Sequence, residues 1–123
     1  MSMTERKELL LIIKQKFFDQ ILSGEKTIES REIRPNTAKR YIDFKDGVND
    51  IDNINAPVKY DALKLCVGYK KDRPTAVVEV KDAEIVFLTD EEGEDITYEH
   101  EGETFLACQI NYTLGKILEK TNC

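Results

Sequence analysis

From Leu106 to Leu114 apolar side chains fall at every second position, at Leu106, Cys108, Ile110, Tyr112 and Leu114. A period of two puts all five on one side of an extended chain, so the segment reads as a half-buried strand, with Gly115 permitting a bend before Lys116. Other strand signals are shorter. Leu9 to Ile13 is a continuous apolar run inside a strand expected over Glu8 to Lys14, the pattern of a strand buried on both sides. Tyr60 to Tyr69 carries Ala62, Leu63, Leu65, Cys66 and Val67 and closes at Gly68, where a bend or close backbone approach is expected. After the charged turn Lys70 to Pro74, a third strand is expected over Thr75 to Val80 and a short fourth over Ile85 to Leu88. Strands outnumber helices, which gives an α+β fold with a strongly curved mixed sheet.

The first helix lies between the first two strand signals. Phe17, Phe18, Ile21 and Leu22 form one apolar stripe within Lys16 to Ser23, and Gly24 supplies the left-handed residue that commonly ends a helix. An extended segment, Thr27 to Ile33, leaves that turn until Arg34-Pro35 stops it. Alternation along it places Thr27, Glu29 and Arg31 on one face and Ile28 and Ser30 on the other. Asn36 is placed to cap a second helix through Thr37 to Ile42. Phe44 to Val58 has the composition of a long loop, a candidate rim over a cleft. Residues 90 to 103 hold eight acidic side chains, with Tyr98 to Gly102 suggesting the tip of a surface hairpin.

The pattern Gly24-x-Lys26-x-x-Glu29-x-Arg31 resembles the signature of the ASCH domain, a small relative of the PUA fold. The four residues match at the family's spacing, the preceding Phe18 to Ser23 segment lies where it is expected, and the domain's usual length covers nearly the whole chain. Tyr60-Asp61-Ala62 and Gly68-Tyr69 also look like a small stand-alone subgroup of bacteria and phages. The resemblance implies one domain over residues 1–123, a partly open β-barrel with flanking short helices, and a cleft lined by the motif that receives RNA or a nucleotide or nucleoside. One branch of the family comprises amidohydrolases that remove the acetyl group of N4-acetylcytidine. In that branch the motif lysine is implicated in catalysis with a threonine three residues later and a distant glutamate. Lys26 and the adjacent Thr27 fit, whereas Glu29 stands where that branch has its threonine; Glu79 and Glu84 are candidates for the distant acid by location alone.

Read on chemistry alone, the motif suits recognition. Lysine is almost wholly cationic at neutral pH, and catalytic work by Lys26 would need strong desolvation or a cationic neighbour. Lys26 and Arg31 would hold phosphate, carboxylate or carbonyl oxygens, and Glu29 would accept hydrogen bonds from a base amino group or a sugar hydroxyl. The plain alternative is an ion-pair ladder on an exposed strand, worth under about 1 kcal/mol per pair. Tyr69, followed by Lys70 and Arg73, suits stacking on a base beside a phosphate, or a packing corner at a strand end.

Charge bears on the partner. The chain of 123 residues has a formal net charge of -6, which opposes nucleic-acid binding overall. Residues 1 to 45 nevertheless hold ten Lys and Arg against seven Asp and Glu, a balance of +3 that leaves -9 for residues 46 to 123. The positive part contains the motif. With 41% apolar residues and no apolar run near the ~20 residues of a membrane helix, a soluble protein is expected. Nothing near Met1 resembles a secretory signal, so the cytoplasm is the expected compartment. Cys66 and Cys108 sit in apolar runs and Cys123 is terminal, an odd count without metal-ligand spacing, so neither disulfide, metal nor cofactor is expected. The one histidine, His100, lies between Glu99 and Glu101 and reads as a solvated turn residue.

Overall fold

The computed structural model describes residues 6–45 and 54–122. Its elements run β1 (Glu8–Ile13), α1 (Gln15–Ser23), β2 (Ile28–Ile33), α2 (Ala38–Tyr41), β3 (Ile42–Phe44), β4 (Ile54–Pro57), β5 (Ala62–Val67), β6 (Thr75–Phe87), β7 (Thr97–His100), β8 (Glu103–Leu106) and β9 (Cys108–Thr121). Five strands form a mixed sheet in the order β1-β5-β6-β9-β2, and β3-β4 and β7-β8 form two-stranded sheets. The α+β class is therefore as expected. The chain divides into two compact units, one of residues 1–29, 59–82 and 112–123 and the other of residues 30–58 and 83–111.

In the first unit β1 lies parallel to β5, with Leu9 opposite Leu63 and Leu11 opposite Leu65, and β6 runs antiparallel to β5, with Val78 opposite Leu63. Leu63, Leu65, Ala62 and Cys66 are all fully buried, so the strand covered on both faces is β5. The apolar run of β1 misled on this point: Leu10 is 41% exposed, because β1 has β5 on one side only within its sheet. Asp61 fixes the start of this pairing, its carboxylate accepting the Lys7 N–H at 2.8 Å while its own N–H donates to the Lys7 carbonyl at 2.8 Å.

Helix α1 buries Phe18 and Ile21, three residues apart on one face. Phe17 is not part of that stripe and stands 39% exposed. Gly24 ends the helix at φ +84°, its N–H reaching the Ile21 carbonyl at 3.2 Å, a conformation that a side chain would strain.

β6 replaces the two strands expected over Thr75 to Val80 and Ile85 to Leu88. Lys81-Asp82-Ala83 looked like a break because charge interrupts the apolar pattern, yet it continues the ladder at exposed or half-exposed positions. β9 likewise continues through Gly115, which provides clearance and no bend: a Cβ there would collide with Glu79 Oε1. The same carboxylate oxygen accepts the Lys116 N–H at 3.2 Å.

In the second unit α2 is shorter than expected and begins after Thr37, not Asn36, with no side-chain cap. The Thr37 hydroxyl is engaged one turn earlier, accepting the Arg34 N–H at 3.2 Å in the turn that Pro35 sets. The loop expected over Phe44 to Val58 is in part a strand pair, Ile42 facing Pro57 and Asp43 facing Ala56 in β3-β4; the remainder, residues 46–53, lies outside the described residues, and with it the expected rim. β7 and β8 form the expected hairpin, joined by Glu101 and Gly102, both at positive φ as a two-residue turn of this hand requires. Preceding it, the Asp90 carboxylate accepts the N–H groups of Glu92 at 2.9 Å and Glu94 at 3.0 Å, so the acidic loop is an ordered Asx turn.

Candidate functional site: a half-buried ion pair after the first helix

The end of α1 aims the motif. Beyond Gly24, the Lys26 N–H donates to the Gln20 carbonyl at 3.0 Å, clasping the turn onto the last helical residues. Lys26 thus stands where the helix presents its partial negative charge, a favourable place for an ammonium. Its Nζ lies 3.4 Å from Glu29 Oε1 and 5.7 Å from the centre of the exposed Phe17 ring. One further bond seats the strand that follows: the Thr27 carbonyl accepts the Leu114 N–H of β9 at 2.9 Å.

Glu29 is 5% exposed, the one buried charged residue among those described, while the Lys26 side chain keeps 27% of its surface open. An exposed ion-pair ladder does not bury its acid. A carboxylate withdrawn from water loses several kcal/mol of hydration unless charge and hydrogen bonds replace it. The pair therefore joins the packed interior to solvent, with Lys26 and Phe17 as its open side.

The other expected residues divide. Thr27 is exposed just before β2, and Arg31 is half-buried two residues beyond Glu29, in the second unit. Alternation holds within the strand, since Glu29 and Arg31 are inward and Ile28 and Ser30 outward, while Thr27 precedes the strand. Tyr69 is 83% exposed on the turn between β5 and β6, where Arg73 Nη1 donates to the Gly68 carbonyl at 3.2 Å. That exposure is not the packing corner of a strand end, and among the described residues no ring or cation contact involves Tyr69.

Two further arrangements escaped the sequence reading. Glu79 lies against Gly115, a position its residue type did not reveal. In the second unit, Ile33, Ala38, Ile42 and Cys108 back an apolar cavity of about 70 Å³ whose lip carries Arg34, Tyr98 and Phe105. The Arg34 guanidinium lies 4.2 Å over the Tyr98 ring and is ion-paired with Glu32. Burial pushes the Tyr98 phenol up although Arg34 pulls it down, and burial alone raises the Cys108 thiol. His100 is half-buried rather than solvated, edge-on to Phe105 with ring centres 6.2 Å apart. The spacing of Phe87, Tyr98 and Phe105 was the available signal, but no sequence period links them. Cys66 and Cys108 are buried free thiols, as expected, and Cys123 lies outside the described residues.

No protein family, curated protein or solved structure matches the chain. No helix among the described residues is long and apolar enough to cross a membrane.

Proposed function

We propose that the chain is an ASCH-type, PUA-like module that binds RNA or a nucleotide or nucleoside, with Lys26 as the principal contact. The observation that carries this reading is the Lys26–Glu29 pair, whose acid is buried and whose cation faces solvent beside an exposed aromatic ring. A cation next to an aromatic face is how single-stranded nucleic acid is gripped, the cation taking phosphate and the ring a base. The unit that holds the pair supports this, with thirteen Lys and Arg against ten Asp and Glu. Thr27 supplies an exposed hydroxyl at the same turn, and Tyr69 a second exposed ring on its own basic turn. Arg31 enters the proposal through the motif alone.

The test is fluorescence anisotropy with a labelled single-stranded RNA, wild type against Lys26→Ala, at two salt concentrations. Affinity that falls with salt and drops about tenfold in the variant supports the reading. Equal binding by both proteins, or none by either, removes it. N4-acetylcytidine incubated with the same two proteins separates the enzyme alternative: ultraviolet-detected turnover lost in Lys26→Ala would make the module an amidohydrolase.

A further inference from the structure

The apolar cavity of the second unit belongs to none of the motif residues, and its surroundings carry an unusual charge. Residues 83 to 111 contain nine Asp and Glu and no Lys or Arg, and the described residues of the unit hold eleven acids against five cations. Such a surface repels phosphates and attracts cations. The cavity shares its Pro35 and Phe105 walls with a wider polar recess of about 330 Å³ lined by Asn36, His100, Glu101 and Glu103. Neither Glu101 nor Glu103 has an ion-pair partner among the described residues, and both are exposed. The single cation at the apolar lip, Arg34, is already engaged by Glu32 and the Tyr98 ring.

Size and chemistry narrow the occupant. About 70 Å³ is half of the ~150 Å³ that an apolar cavity uses to enclose benzene, so the cavity accepts one branched aliphatic side chain and not a nucleobase. Apart from Arg34 at the lip, its lining is hydrocarbon, aromatic rings and a buried thiol, which do not reward a polar group. The recess beside it, which shares Pro35 and Phe105 with the cavity, is lined by the carboxylate-bearing Glu101 and Glu103.

We propose that this surface docks a basic segment of a partner protein, one leucine- or isoleucine-type side chain entering the cavity and flanking lysines or arginines meeting Glu101 and Glu103. Anchor and flank divide the work: apolar burial holds the segment, and the acidic field selects and steers it. Nucleic acid is excluded by the same field.

The test uses the full chain labelled with ¹⁵N and two synthetic peptide libraries, each with a fixed central leucine. One library has lysine, arginine or alanine at the flanking positions, and the other glutamate or alanine. The expected result is that the basic library shifts the amides of Ala38, Leu106 and Cys108, that added salt weakens the effect, and that Glu101→Gln with Glu103→Gln weakens it about three- to tenfold. Both substituted residues are exposed, so the doubly substituted protein folds normally. No shift from the basic library at millimolar peptide, or equal shifts from both libraries, overturns the proposal. Shifts confined to the residues around Lys26 would also overturn it.

Discussion

The two units of this chain are built from some of the same long strands, yet they face solvent with opposite chemistry. The first has thirteen cations to ten acids and one buried carboxylate held by a lysine; the second has five cations to fourteen acids and an apolar cavity. β6 passes through both, and its burial changes along the way, with Ala76, Val77 and Val78 covered and positions from Lys81 onward largely open. The comparison teaches that net charge is the wrong scale at which to exclude a partner. A total of -6 conceals a balance of +3 in one unit and -9 in the other.

The sharpest contrast is in packing. Phe18 is fully buried in the first unit, whereas Phe105 is a half-buried lip residue in the second, stacked on Tyr98 with ring centres 5.8 Å apart. Phe18→Ala is expected to destabilise by about 3–5 kcal/mol, and Phe105→Ala by about 1 kcal/mol, measured by urea denaturation. Equal losses would mean that the cavity wall is as tightly packed as the first unit's core, and the docking proposal would lose its open site.

Next in size is the ion pair. Lys26→Ala removes the ammonium that lies 3.4 Å from Oε1 of the buried Glu29 carboxylate. Breaking a fully buried pair costs about 3–5 kcal/mol and an exposed one under about 1 kcal/mol, so with Lys26 27% exposed a loss of about 1–2 kcal/mol is expected. Lys26→Arg should recover most of that stability. A variant that melts like wild type would return the pair to the surface-ladder reading.

How much of this was legible follows from which signals are local. The helix stop at Gly24, the strand that follows it and the Glu101-Gly102 hairpin are written in adjacent residues, and all three appear in the structure. The buried state of Glu29 was not legible, because its environment comes from elements distant in sequence. The break expected between Val80 and Ile85 is absent for a related reason: a strand can change from covered to open without ending. In sequence Gly115 permits a bend, whereas in the fold its small size makes room for Glu79, and nothing in the order of residues distinguishes those uses. The cavity was least visible, since Ile33, Phe44 and Phe105 meet only through the fold.

The hairpin turn tests the second unit with a smaller change. Gly102 has φ +82° and open space around the position of a Cβ, so Gly102→Ala meets conformational strain but no clash. A loss of about 1 kcal/mol is expected in thermal denaturation. Faster amide exchange should be confined to β7 and β8; exchange quickened equally in β1 and β5 would show that the hairpin's stability is not local.

The smallest expected effect is a pH dependence carried by the second unit. Burial raises the Cys108 thiol above its ordinary 9.0, and burial raises the Tyr98 phenol above 10.0 against the pull of Arg34. In each case the neutral form is favoured by folding, so the folded state keeps its proton at a pH where the unfolded chain has released it. Stability from Cys108 is therefore complete below about pH 9 and declines as pH rises through its folded value, with Tyr98 adding a second decline above about pH 10. Cys108→Ala should flatten the first part of that decline while costing little at neutral pH, where only a small side chain has been lost. Denaturation midpoints at pH 7, 9 and 10 for both proteins measure it. An unchanged slope in the alanine variant would show that Cys108 is solvated in the folded chain, which would also deny the cavity a dry wall.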